Sequence, residues 1–286
     1  MTRPRERYSV PVAGGDLAVH RWPADGPTVL AAHGITSNGL SWSAVADALP
    51  GFEIIAPDLR GRAGSRSLPG PYGPARHADD LLGVLDHRGV AEPVVLAGHS
   101  MGGFVASVAA AAHPERFSKL VLVDGGLAFP EQEGADIDAV LEAVIGPAMR
   151  RLSMEFADLD AYHEFWHEHP AFTAIWHERT IECLDHDLIG EPPQLRSSCV
   201  LDAIRTDGAG VLADPEVLGA IHRLTVPAVL LWAQRGMLDQ PEGIYSPDRL
   251  AALPDGVRAE LVPEVNHYSI LFGDNGAKAV AAAIAS

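Results

Sequence analysis

An apolar run, Val94-Val95-Leu96-Ala97, ends at Gly98-His99-Ser100-Met101-Gly102-Gly103 and passes at once into Phe104-Val105-Ala106-Ser107-Val108-Ala109-Ala110. That order reads as strand, sharp turn and helix, with Ser100 at the apex. Glycines at 98 and 102 leave room for a strained backbone at the serine and for close strand–helix packing. The helix that follows brings unpaired N–H groups and the positive end of its dipole toward Ser100. A nucleophilic serine is presented in this way. In a chain with 28 glycines the five-residue motif alone carries little, and it is the flanking strand and helix that give it weight.

Around this unit the pattern alternates. Residues 8–12 and 17–22 flank the turn-rich Ala13-Gly14-Gly15-Asp16 and predict an antiparallel hairpin at a sheet edge. Apolar runs over 27–32, 52–56 and 119–123 predict buried strands, the first ending at His33-Gly34 and the last at Asp124. Helices are expected over 41–49 and 73–88. Strands covered on both faces and separated by helices imply an α/β fold, a mostly parallel sheet with helices on either side.

The rhythm breaks at residues 129–214, where no strand-like run is visible and helical patterns occupy 137–152, 159–168, 172–184 and 197–203. This segment is expected to form a helical cap over the carboxyl ends of the strands, inserted between a first core part, 1–128, and a second, 215–286. The second part predicts a helix over 215–222, strands over 228–233 and 257–262, a Ser246-capped helix to Leu253 and a last helix over 276–285.

With 21 basic against 38 acidic side chains the chain carries a net charge of −17, which argues against nucleic acid and anionic membranes as partners. No apolar span approaches bilayer length, and the basic first residues lead into a strand rather than a signal-peptide core. A cytoplasmic location is the expected default. The two cysteines, Cys183 and Cys199, are expected reduced and packed.

A serine hydroxyl needs a base, and of the 13 histidines His267 has the right place, in a loop after the last strand and after Ser100 in chain order. His99 adjoins the nucleophile on a position expected to point back toward the sheet, and His33 is expected to brace its own loop. The imidazole needs a carboxylate in turn, for which Asp124 and Asp239 are both candidates. Two N–H groups should face the developing oxyanion: that of Met101, first in the helix, and that of Ile35, after His33-Gly34.

Gly98-His99-Ser100-Met101-Gly102-Gly103, His33-Gly34 followed by Trp42, the Asp58-Leu59-Arg60-Gly61 turn and the late Asn266-His267 together resemble the α/β-hydrolase superfamily. The resemblance covers residues 8–124 and 226–286, and the cap carries no signature. In that superfamily the acid commonly follows the strand corresponding to 228–232, where this chain has Ala233-Gln234-Arg235-Gly236, a glycine at the expected acid. Haloalkane dehalogenases and some lactonases carry it at the end of the preceding core strand, where Asp124 stands. The resemblance therefore favours Asp124 over Asp239. Dehalogenases and epoxide hydrolases use an aspartate nucleophile, which Ser100 argues against. Acyl transfer from a carboxylic ester or a lactone to water is the expected chemistry, on a small-molecule substrate and with no cofactor. Two other readings stay open: a receptor-like ligand-binding protein on the same fold, and a cofactor-free C–C hydrolase or perhydrolase.

His163, His167, His169, His177 and His186 crowd the cap among acidic residues, yet no metal-ligand motif appears and no metal is expected. His99, Trp42, Phe165, Trp166 and Trp176 are the expected substrate-pocket residues. Aromatic side chains serve cores and pockets alike.

Overall fold

The computed structural model describes residues 3–128 and 149–286. Its first two strands, β1 (Glu6–Val12) and β2 (Gly15–Trp22), form the expected antiparallel hairpin. Then come β3 (Thr28–Ala32), α1 (Ser43–Ala48), β4 (Glu53–Pro57), α2 (Pro74–His87), β5 (Val94–His99), α3 (Met101–Ala112) and β6 (Phe117–Val123). After the inserted segment, β9 (Ala228–Ala233) and β10 (Val257–Val262) complete one eight-stranded sheet in the order β1-β2-β4-β3-β5-β6-β9-β10. From β4 to β10 all neighbours run parallel.

Alternation along the central strands explains the two cores. Val29, Ala31, Val95, Ala97, Val121 and Val123 face one side, and Leu30, Ala32, Leu96, Leu120 and Leu122 the other. Both sets are buried because helices cover both faces, so these strands read as continuous apolar runs. The second face takes α2 and α3, and the first takes α1 with the C-terminal helix α10 (Asp274–Ala285).

The insert differs from its expected pattern. Its helices are α4 (Leu159–His167), α5 (Glu178–Asp185) and α6 (Leu201–Ala213). The helix expected over 172–184 is divided: a 3₁₀ turn at Pro170–Ile175 precedes α5, and the break falls at His177, whose Nδ1 accepts from the Thr180 N–H and caps α5. The helix expected over 197–203 begins only at Leu201. Ser197 instead belongs to a short antiparallel ribbon, β7 (Leu188–Ile189) with β8 (Arg196–Ser197), so the segment is not free of strands. Of the helix expected over 137–152, residues 149–152 are helical and 137–148 lie outside the described residues.

Three short helices complete the second core part: α7 (Pro215–Leu218), α8 (Pro247–Leu250), capped by Ser246 as expected, and α9 (Ser269–Phe272). Among the described residues no helix is long and apolar enough to cross a membrane.

Candidate active site

Ser100 sits between β5 and α3 with φ +55° and ψ −122°, a left-handed conformation for a residue with a side chain. The turn exists because its neighbours lack a Cβ. One added at Gly98 would lie 2.1 Å from the Gly102 carbonyl oxygen, and one at Gly102 would lie 2.2 Å from that of Ala32. The N–H of Met101, at the first position of α3, and that of Ile35, beyond the end of β3, donate to no protein acceptor among the described residues. Both are available to an oxyanion.

His267 lies in the loop between β10 and α9. Its Nδ1 donates to Asp124 Oδ2 at 2.7 Å, and Asp124 Oδ1 accepts from the Ala233 N–H at 3.0 Å. The carboxylate therefore fixes the tautomer and leaves Nε2 bare. The loop is held by Asn266, whose side-chain oxygen accepts from the N–H groups of Tyr268 and Ser269 while its Nδ2 donates to Ala171 O and Asp239 Oδ1.

Asp239 is turned elsewhere. Its oxygens accept from Arg235 Nε at 2.8 Å and Nη2 at 3.0 Å, and the Arg235 hydrogen bond holds this carboxyl below its ordinary value. Of the two candidate acids, then, Asp124 is the one beside His267.

The neighbouring histidines take supporting places. His33 Nδ1 donates to Gly34 O at 2.7 Å and its Nε2 accepts from the Leu59 N–H at 2.8 Å, tying the ends of β3 and β4 together. Burial, then the nearby Arg62, pushes it down to about 3, so it stays neutral. His99 donates from Nε2 to the His267 carbonyl at 2.8 Å, and the two rings stand 4.6 Å apart. Burial and the neighbouring His267 lower its pKa well below the ordinary imidazole value, which keeps positive charge off the spot beside His267. Although its ring bonds back to the His267 loop, it also lines the cavity.

Two cavities meet at Ser100 and share Ile35, Ser100, Met237 and His267 in their walls. The first runs under the insert past Tyr162, Trp166, Phe172 and Tyr268 to a polar end holding Asn38, Arg151 and Asp187. The second is apolar, lined by Met101, Phe104, Val211, Leu212 and Ile244.

His99 and Trp166 are thus pocket residues, and three expected ones are not. Trp42 is fully buried in the core beneath the 3₁₀ turn Gly39–Trp42. Phe165 meets Phe156 edge to face at 5.6 Å, and Trp176 meets His167 edge to face at 5.3 Å, so both serve packing within the insert. Arg151 and Asp187 escaped the sequence reading. They form a buried ion pair 36 positions apart, with the guanidinium 5.2 Å from the Trp166 ring, and no local pattern announces such a pair.

Ser100 Oγ makes no hydrogen bond among the described residues, and it lines both cavities with His267. Catalytic hydrogen bonds are often open without ligand.

A mostly parallel sheet with a left-handed serine at a strand-to-helix turn defines the α/β-hydrolase class, and this chain has the α/β-hydrolase fold. Residues 27–144 match its family model, described as alpha/beta hydrolase fold. Lipase LipV of Mycobacterium tuberculosis is 38% identical over 131 residues, which are 46% of this chain and 48% of LipV. The match thus spans about half the length of that relative. Among solved structures, E-2-(acetamidomethylene)succinate hydrolase superposes with a TM-score of 0.79 over 99% of this chain and 100% of its own, at 22% identity. The thioesterase domain from the curacin biosynthetic pathway gives 0.76 over 99% of both chains, also at 22%. These two likenesses concern the fold.

Proposed function

We propose that this chain is a serine hydrolase that cleaves a small carboxylic ester or lactone through an acyl-enzyme on Ser100. The observation that carries the reading is the His267 Nδ1–Asp124 Oδ2 bond of 2.7 Å next to a serine held at φ +55° with two unengaged N–H groups beside it. As the Ser100 oxygen attacks the carbonyl carbon, its proton passes to His267 Nε2, and Asp124 stabilises the imidazolium. The carbonyl oxygen becomes negative between the Ile35 and Met101 N–H groups, which face that charge without reorganising. His267 returns the proton to the leaving oxygen and the C–O bond breaks, leaving the acyl group on Ser100. Water then attacks and gives its proton to His267, which passes it to the Ser100 oxygen as the acyl–oxygen bond breaks and the acid leaves.

LipV is named a lipase, and its similarity to this chain supports ester chemistry. Within this reading residues 129–214 act as the cap, since Tyr162 and Trp166 of α4 stand over the first cavity. No step draws on a cofactor.

The test is turnover of p-nitrophenyl esters and simple lactones by wild type and Ser100→Ala. The expected loss in kcat is on the order of 10³- to 10⁶-fold with the circular dichroism spectrum unchanged. A folded S100A protein that keeps kcat within a few-fold would falsify the acyl-enzyme. If the wild type gives one slow acylation without multiple turnovers, the receptor-like reading replaces hydrolysis.

A further inference from the structure

A second cluster of chemically capable side chains lies where the insert meets the sheet. His20 comes from β2, Asp58 from the turn after β4, and His186 from the residue that ends α5. His20 and Asp58 are buried, and His186 is 17% exposed along its side chain. His20 Nε2 lies 3.2 Å from Asp58 Oδ1, His186 Nε2 lies 2.8 Å from Asp58 Oδ2, and the two Nε2 atoms are 3.3 Å apart. The proposed reaction uses none of these groups.

We propose that His20, Asp58 and His186 form a binding site for one divalent transition-metal ion of the Zn²⁺ type, which clamps the insert to the core. Three donor atoms at 2.0–2.1 Å from a tetrahedral ion stand about 3.3 Å from one another. The separations of 2.8, 3.2 and 3.3 Å in this cluster approach one face of such a tetrahedron. His186, 17% exposed along its side chain, gives an ion access to the cluster from solvent.

Protons fit the cluster less well than a cation does. Each imidazole can donate to its own oxygen of Asp58, but two N–H groups then meet at 3.3 Å, donor against donor. An ion between them turns both nitrogens into lone-pair ligands and draws on the same carboxylate. Asp58 is prepared for that charge. Its Oδ1 also accepts from the Gly39 N–H at 2.9 Å and its Oδ2 from the Gly64 N–H at 3.0 Å, which fix the carboxylate in place.

Two imidazoles and one carboxylate select borderline metals such as Zn²⁺ or Co²⁺ over Mg²⁺ and Ca²⁺. Cys183, one turn before His186, is engaged elsewhere, donating to Asn38 Oδ1 at 3.3 Å. Among the described residues His20 Nδ1 has no hydrogen-bond partner, whereas a ligating imidazole usually gives its other N–H to one.

The experiment uses the tag-free full chain after dialysis against chelator. Calorimetric titration with ZnCl₂ should give one equivalent bound, and the melting temperature should rise with Zn²⁺ concentration, as mass action on the folded state requires. His186→Gln should remove both responses while melting like metal-free wild type. In ¹⁵N-histidine spectra of the wild type, Zn²⁺ should move the Nε2 signals of two imidazoles, identified as those missing from the spectra of H186Q and His20→Gln. Absence of heat and of any melting shift at about 100 µM Zn²⁺ overturns the site. So does undiminished binding by H186Q, or movement of imidazoles other than these two.

Discussion

Asp124 stands at φ +44°, a second left-handed residue at the carboxyl edge of the sheet, and that conformation turns its carboxylate from β6 toward the His267 loop. An amide at this position can donate where the carboxylate accepts, which favours the wrong tautomer of His267. Asp124→Asn is therefore expected to lower kcat on the order of 10⁴-fold while the chain stays folded. Asp239→Asn removes bonds to Arg235 and Asn266 only, so its kcat should remain within a few-fold of wild type. Steady-state ester turnover of the two variants side by side checks both, and a reversed order would make Asp239 the working acid. Ser100, His267 and the two acids were legible in the sequence because motif spacing and strand ends locate backbone, and backbone locates these side chains. Trp42, Phe165 and Trp176 were misread for a physical reason. An aromatic ring that packs a core and one that lines a cavity give the same signal, and only the direction of the Cα–Cβ bond in the finished fold separates them.

Among elements, α6 is attached to the core through a buried charge network. Its Asp207 is fully buried, forms an ion pair with Arg62, accepts from His77 at 3.0 Å and from the Gly73 N–H at 2.7 Å. Burial alone raises this carboxyl, but Arg62, then His77, outweigh it and hold the pKa below its ordinary value. Because the folded pKa is depressed, the stabilisation is present above the unfolded value near 4 and is lost as pH falls from there toward the folded value. Asp207→Asn leaves Arg62 without its charge partner and should cost about 3 kcal/mol at neutral pH. The deficit should shrink below about pH 4, where wild type itself begins to lose the bond. Urea melts of both proteins at neutral and acid pH measure this, and a deficit independent of pH would assign the loss to packing rather than charge. The insert is also where element reading failed most. Core strands announce themselves by burial on two faces, whereas β7 and β8 are two residues each and owe their pairing to a turn and to the bridge between Phe156 and Leu195, which no periodicity records.

For the whole molecule, what matters is that Ser100 stands where two cavities of unlike chemistry join, each walled jointly by the core and the insert. Under the proposed reaction, a substrate that fills both would have its reacting carbonyl at Ser100, an apolar portion along Val211 and Leu212, and a more polar portion toward Asn38 and Arg151. Val211 lies on α6 and is largely buried, so enlarging it narrows the apolar cavity without touching His267 or Asp124. Val211→Phe should therefore discriminate by substrate size. For esters with a bulky aryl or long alkyl portion kcat/KM should fall about 10- to 100-fold, the scale that one or a few displaced methylenes impose in an apolar pocket. For acetate esters, which leave that cavity empty, it should hold within about threefold. Overpacking typically costs about 1–3 kcal/mol of stability, so melting temperatures are measured alongside to keep loss of fold apart from loss of fit. Varying the acyl and alcohol portions separately then assigns the apolar cavity, because only the portion that occupies it becomes sensitive to residue 211. An unchanged kcat/KM for bulky as for small esters in a folded V211F protein would mean that the substrate does not enter this cavity, and would leave the space under α4 as the whole binding site.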